Sequence, residues 1–272
     1  MIRSFGGVTL DRPRVMAIVN VTPDSFSDGG ERLDPARAID DGLRFVGEGA
    51  DIVDVGGEST RPGSLPTSPD DELHRILPVV EGLARQNVVV SIDTRRASVA
   101  RAALDAGARI VNDVSALRDD EAMLPLVAGR DVDVVLMHRR GLPENTFAGP
   151  RYVDVVEEVR QFLLERAEVC AAAGVKRERI VLDPGIGFGK SVAQEFELIA
   201  GAGRLGDSGY PVLVGCSRKS FIGKLTGLEK PADRDPASAW LSAEAVRRGA
   251  AIVRVHNVVT TLQVLAVSAA MR

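Results

Sequence analysis

Short apolar runs rich in Val and Ile recur along the chain at residues 14–22, 51–57, 88–94, 109–115, 132–138, 179–185, 211–217 and 251–256. Runs of this kind, bounded by turn residues, fit strands covered on both faces, as parallel sheets require. Between them, apolar positions recur with helical period at residues 36–47, 71–86, 98–107, 153–174, 194–205, 237–248 and 259–271. Strand and helix therefore alternate along the chain, the pattern of an α/β fold. About eight such units in 272 residues predict a single (β/α)8 TIM barrel over residues 1–272, a fold that typically takes about 250 residues. A doubly wound open sheet is disfavoured because the first strand lacks a G-x-G-x-x-G turn, and eight equal units close more naturally than they stay open. Residues 1–12, with Gly6-Gly7 beside a Val-Thr-Leu run, predict a short N-terminal hairpin that plugs the barrel floor.

In such a barrel the reactive groups come from the C-terminal ends of the strands and the loops that follow. Those ends carry Asn20, residues 58–61, Asp93, Asn112, Asp113, His138, Asp183, residues 217–219, Arg254 and His256. Any one of them could be a turn cap. A whole ring of buried Asp, Asn, Arg and Lys needs mutual pairing or a polar ligand.

The stretch Arg179-Ile-Val-Leu-Asp-Pro-Gly-Ile-Gly-Phe-Gly-Lys190 is the clearest case, a buried strand ending on Asp183 and opening into a glycine loop around Phe188. Gly189-Lys190-Ser191 looks like the end of a nucleotide P-loop, but that pattern requires glycine where Pro184 stands. The glycines instead suit a loop whose backbone and Phe188 close over a flat ligand, or a tight turn with no ligand. Arg254 and His256 are two apart, so on an extended strand they share a face while Val253 and Val255 take the other. Two donors on one face at a barrel mouth suit a phosphate or pyrophosphate, although Arg254 could instead pair with a carboxylate and His256 cap the last helix.

Composition narrows the class. Hydrophobic residues make up 45%, charged residues 26%, and the net charge is −4, so neither disorder nor a nucleic-acid footprint is indicated. The two cysteines, Cys170 and Cys216, lack metal-site or disulfide spacing. Nothing at the N-terminus resembles a signal peptide and no apolar run is long enough for a membrane span. The expectation is a cytoplasmic enzyme with small-molecule substrates and neither nucleic acid nor membrane as partner.

Several segments together carry a resemblance. They are Asn20-Val-Thr-Pro-Asp-Ser-Phe-Ser-Asp-Gly-Gly30, Asp54-Val-Gly-Gly-Glu-Ser-Thr-Arg-Pro-Gly63, Ser91-Ile-Asp-Thr94, Asn112-Asp-Val114, Leu182-Asp-Pro-Gly185, Gly215-Cys-Ser-Arg-Lys-Ser220 and Arg254-Val-His256. In this order they span almost the full chain, which resembles the dihydropteroate synthases, pterin-binding barrels of folate biosynthesis. The resemblance implies a transferase that condenses 6-hydroxymethyl-7,8-dihydropterin diphosphate with p-aminobenzoate, giving 7,8-dihydropteroate and pyrophosphate through an SN1-like pterin cation.

It also implies roles for the matching residues. Asp93, Asn112, Met137, Asp183, Phe188 and Lys219 would bind the pterin, Asp183 by accepting two N–H groups from one ring edge. Asn20, Arg61, Arg254 and His256 would hold the pyrophosphate, with Mg2+ on the Asn20 amide oxygen. Phe26, Thr60, Arg61, Pro62 and Ser220 would line the p-aminobenzoate pocket, which makes the protein a sulfonamide target or a sulfonamide-tolerant variant. Asp93, Lys219 and Arg61 would carry catalysis. A homodimer through outer helices is implied as well. One position departs: the family usually continues Arg-Val-His with Asp, where this chain has Asn257. Three other functions compete: methyl transfer from a folate-like pterin, a catalytically silent paralogue, and a Schiff-base aldolase using Lys219. The first leaves Arg61, Arg254 and His256 without a diphosphate to hold.

Overall fold

A computed structural model describes residues 3–22, 34–58, 67–141 and 152–271. Eight parallel strands form the centre: β3 (Arg14–Asn20), β4 (Ile52–Gly56), β5 (Val90–Asp93), β6 (Ile110–Asp113), β7 (Asp133–Met137), β8 (Ile180–Asp183), β9 (Leu213–Val214) and β10 (Ile252–Val255). They pair in the order β8-β7-β6-β5-β4-β3-β10-β9. A parallel bridge between Leu182 and Val212 closes the circle. All eight expected strands are present, each within the run that predicted it.

Period two sorts every strand into an outer and an inner face. On β3 the outer residues Val15, Ala17 and Val19 join the main core beneath the helices, and on β10 Val253 and Val255 do the same. The inner residues Met16, Ile52, Ile110, Val135, Val181, Leu213 and Ile252 form a separate cluster inside the barrel. Phe5 completes that cluster and is fully buried. It comes from the N-terminal hairpin, β1 (Ser4–Phe5) paired antiparallel with β2 (Val8–Thr9), which does plug the floor. The turn residue Gly6 has φ +60, and a Cβ there would stand 2.7 Å from Ile110. Its N–H donates to Asp133 Oδ2 at 2.6 Å, fixing the plug to β7.

The outer layer holds α1 (Pro35–Gly47), α2 (Pro69–Arg85), α3 (Ala97–Asp105), α4 (Met123–Ala128), α5 (Val155–Ala172), α6 (Val192–Ala200), α7 (Ala202–Gly206), α8 (Ser220–Thr226), α9 (Asp235–Arg247) and α10 (Val258–Ala270). The sequence pattern missed α4 and α8, which are too short for a helical period to register. It also ran α6 and α7 together; the chain breaks at Gly201, where a Cβ would meet Val156 of α5 at 2.7 Å. Among the described residues no helix is long and apolar enough to cross a membrane.

Candidate functional site

The inner face of the strands turns polar toward the C-terminal rim. Ile52, Asp54 and Gly56 share the inner face of β4 at alternate positions, and β10 runs Ile252, Arg254, then His256 beyond its end. A cavity of about 310 Å³ opens at this rim, bordered by Asn20, Asp93, Phe188, Lys219, Ser220, Arg254 and His256 among others. Seven of the sequence-selected residues thus meet in one place although they come from five different strand-to-helix connections. Trp240 lies elsewhere, 60% exposed on α9.

Arg254 organises the rim. Its Nε donates to Asp54 Oδ2 and its Nη2 to Asp93 Oδ2, each at 2.6 Å. Asn112 Nδ2 donates to the same Asp54 oxygen at 3.0 Å. Burial pushes the Asp93 carboxyl up to about 7, with Arg254 pulling the other way. Burial would lower Arg254, but Asp54 and Asp93 outweigh it and hold the guanidinium charged. The alternative of carboxylate pairing for Arg254 is therefore present in the structure. His256 does not cap the last helix; Asn257 does, accepting from Thr260 N at 3.0 Å. The His256 ring lies on Ser217, with Nδ1 to Oγ 3.0 Å.

The glycine loop forms the opposite wall. Asp183 is buried, and its Oδ1 accepts from Gly185 N at 2.7 Å. Burial raises its carboxyl to about 6, opposed by that N–H and by Lys219 and Arg254. Phe188 packs with Met137 and Val114 in a small apolar cluster. The Lys219 ammonium stands 4.3 Å from the centre of the Phe188 ring; burial first, and then Arg254, lower its pKa. The Lys219 stem crosses Gly187, where a Cβ would come within 2.8 Å of it. Asn112, Met137 and Asp183 do not border the cavity. Asn112 pairs across the sheet with Asp93, Met137 packs against Phe188, and the Asp183 carboxyl feels Lys219 and Arg254, so each lies next to residues that do.

Two strand-end candidates belong to the scaffold. Asp113 accepts from Ser115 N and Leu117 N at 2.7 and 3.1 Å, closing its own turn. His138 is buried edge-on against Phe162 at 4.9 Å, and burial drives its imidazole down to about 2. Arg218 borders the cavity but is bidentate with Asp235, at 2.6 and 2.8 Å. Phe26, Thr60, Arg61 and Pro62 lie outside the described residues.

Asp54 was not among the selected residues. Its signal was available: a carboxylate inside an apolar strand, on the same face as Ile52 and Gly56. Glu72 was missed too, a fully buried carboxylate on the apolar face of α2, accepting from Thr94 Oγ at 2.7 Å and paired with Arg96. Arg96 in turn donates to Glu58 Oε1 at 2.8 Å and to Thr67 O at 2.7 Å. The two described ends of the connection after β4 are thereby tied together.

Among the described residues no cluster of three or more His, Cys, Asp or Glu could cage a metal ion. A phosphate-bridging Mg2+ asks for less, because it keeps several waters and takes one or two protein oxygens. Asn20 offers one, an amide oxygen on the inner face of the rim. It flanks Gly56 opposite Asp93: a Cβ at Gly56 would lie 3.9 Å from Asn20 Oδ1 and 3.5 Å from Asp93 Cβ. The residues present fit such an ion.

The family described as pterin binding enzyme matches residues 16–256. The dihydropteroate synthase of Mycobacterium leprae is 51% identical over 260 residues, covering 93% of this chain and 92% of that one. Among solved structures, the Xanthomonas albilineans dihydropteroate synthase with 4-aminobenzoic acid matches with a TM-score of 0.91 and 48% identity over 97% of this chain and 94% of that one. The Yersinia pestis dihydropteroate synthase with a sulfonamide drug complex matches with a TM-score of 0.94 and 40% identity over 100% and 99%.

Proposed function

The chain belongs to the pterin-binding enzyme family and within it to the dihydropteroate synthases, and on that premise we propose how its barrel mouth divides the reaction among its residues. The enzyme condenses 6-hydroxymethyl-7,8-dihydropterin diphosphate with p-aminobenzoate, releasing pyrophosphate and 7,8-dihydropteroate. The observation that carries the assignment of roles is the polarised rim: Asp93, Arg254 and Lys219 border one cavity, and the buried Asp183 carboxyl lies behind it under the influence of Lys219 and Arg254.

Asp183 takes the pterin edge, with Asn112 and Lys219 on the remaining polar ring atoms and Met137 and Phe188 as apolar walls. Arg254, His256 and Arg61 hold the diphosphate, which competes with Asp93 and Asp54 for the Arg254 guanidinium. The C–O bond to pyrophosphate breaks first, leaving positive charge shared between the methylene carbon and the ring. Asp93 stabilises that charge. A carboxylate about 4 Å from it contributes about 4 kcal/mol at an effective dielectric near 20, or roughly a thousandfold in rate. The p-aminobenzoate nitrogen then forms the C–N bond and loses a proton.

Mg2+ bound through Asn20 would neutralise charge on the departing pyrophosphate. Asn20, Arg254 and His256 orient that group. Phe26, Thr60, Arg61, Pro62 and Ser220 form the p-aminobenzoate pocket, where a sulfonamide would compete.

A homodimer is part of the same proposal, supported by exposed apolar residues on the outer helices: Trp240 on α9, and Val259 and Val267 on α10. So is a cytoplasmic location, with which the two buried free thiols Cys170 and Cys216 agree.

Pyrophosphate release by purified protein tests the roles. It should require the pterin diphosphate, p-aminobenzoate and Mg2+ together. Release without Mg2+ would remove the metal from the scheme, and undiminished release from Asp93→Asn would remove Asp93.

A further inference from the structure

We propose that Lys190 is a positioning residue for the pterin edge of the site, its ammonium holding the glycine turn that orients Asp183 and Phe188. The inference rests on the assignment of those two residues to the pterin. Lys190 Nζ donates to three backbone carbonyls at once: His138 at 3.2 Å, Gly185 at 2.8 Å and Phe188 at 3.2 Å. An ammonium has three donors and no acceptor, so donors and acceptors match one for one. Three carbonyl oxygens converging in a buried space repel one another and need donors. No neutral apolar side chain at this position could supply them.

The three carbonyls belong to two segments, the residue after β7 and the turn after β8. Lys190 therefore ties the two connections together beneath the rim. It does not border the cavity, so despite the P-loop-like spelling around it, it is not placed to hold a phosphate.

The turn transmits its position to both pterin contacts. Gly185 is held at its carbonyl by Lys190 and by Phe188 N at 3.2 Å. Its own N–H fixes Asp183 Oδ1. Phe188 is held at its carbonyl by Lys190, and its ring then stands between Met137 and Lys219. No side chain at 185 could lock the turn instead: φ is +69, and a Cβ would lie 1.9 Å from His138 O. From the far side, Glu195 Oε2 accepts from Gly187 N at 2.7 Å. The loop is thus pinned by the Lys190 side chain inside it and the Glu195 side chain under it.

Steady-state kinetics of the full chain carrying Lys190→Met, with Lys190→Gln and Asp183→Asn in parallel, test this. The Met side chain keeps the apolar stem and removes every donor; the Gln side chain restores two. The expected result is a KM for the pterin diphosphate raised about tenfold or more in Lys190→Met, the factor that one or two lost buried hydrogen bonds carry. The rise should be smaller in Lys190→Gln, with KM for p-aminobenzoate within about twofold of wild type in both. A pterin KM unchanged in Lys190→Met overturns the inference. So does a loss shared equally by both substrates and tracking a fall in Tm, which is what a merely structural lysine would give. If Lys190→Met does not fold, Lys190→Gln carries the same comparison. An unchanged pterin KM in Asp183→Asn would overturn the pterin assignment itself, separately from the role of Lys190.

Discussion

Arg254 and Asp93 are 161 residues apart in sequence, and their side chains meet at 2.6 Å across the barrel mouth. The same guanidinium also reaches Asp54, which is fully buried. One cation between two inward carboxylates makes the rim a balanced unit whose balance changes when a diphosphate arrives.

Removing that cation should be costly. Arg254→Met leaves Asp54 and Asp93 facing each other in a buried space, and the loss of one partner of a buried ion pair costs about 3–5 kcal/mol. Urea denaturation should show a loss of that size. Adding Asp54→Asn to the same chain should restore part of it, because one of the two stranded charges is gone.

The pH dependence follows from Asp93. Burial raises its carboxyl to about 7, whereas an unfolded Asp titrates near about 4. Between those values the folded state takes up a proton, so this group's contribution to stability is present at low pH and is lost as pH rises through about 7. Activity runs the other way, because only the carboxylate can stabilise the pterin cation. The kcat/KM profile should therefore rise with an acid limb near pH 7. Asp93→Asn should flatten that limb and lower kcat/KM by roughly a thousandfold.

Asn257 lies on the outer side of the rim. Its Oδ1 caps α10 and its Nδ2 donates to Asp235 Oδ2 at 3.1 Å. Asn257→Asp keeps the cap and turns that hydrogen bond into a carboxylate pair beside Arg218. Stability should fall by about 1 kcal/mol, the size of one lost hydrogen bond, while kcat stays within about twofold because no substrate contact is touched. A large change in kcat would show that the residue faces the site.

The floor and the mouth of the barrel should respond independently. Phe5→Ala empties the plug from among Met16, Ile110 and Ile252 and should cost about 3–5 kcal/mol. Both KM values should be unaffected below the new Tm. A changed pterin KM would mean that the interior layers transmit strain to the rim.

Binding should be ordered. The segments bearing Phe26, Thr60, Arg61 and Pro62 are rich in Gly, Pro and Ser, and the diphosphate end of the pterin substrate is proposed to share Arg61 with the p-aminobenzoate pocket. Calorimetry should show weak p-aminobenzoate binding to the protein alone and tight binding once pyrophosphate is present. Tight binding without pyrophosphate would reverse this order.

Much of this is legible in the sequence. Apolar runs separated by helical period located all eight barrel strands, because burial on two faces leaves few polar positions inside a parallel strand. Gly6-Gly7 beside a short apolar run indicated the hairpin plug, and the two-residue spacing of Arg254 and His256 placed both at the mouth, because strand geometry alone dictates that alternation. What the sequence could not determine was partnership. That Arg254 bonds Asp54 and Asp93, that Asp113 and His138 serve the scaffold, and that Lys190 reaches three carbonyls depend on which residues from distant segments come within about 3 Å. Closure of the barrel sets those distances, and hydrogen bonds that weaken steeply with distance and angle read them. Local pattern encodes which face a side chain takes; only the tertiary structure decides what it meets there.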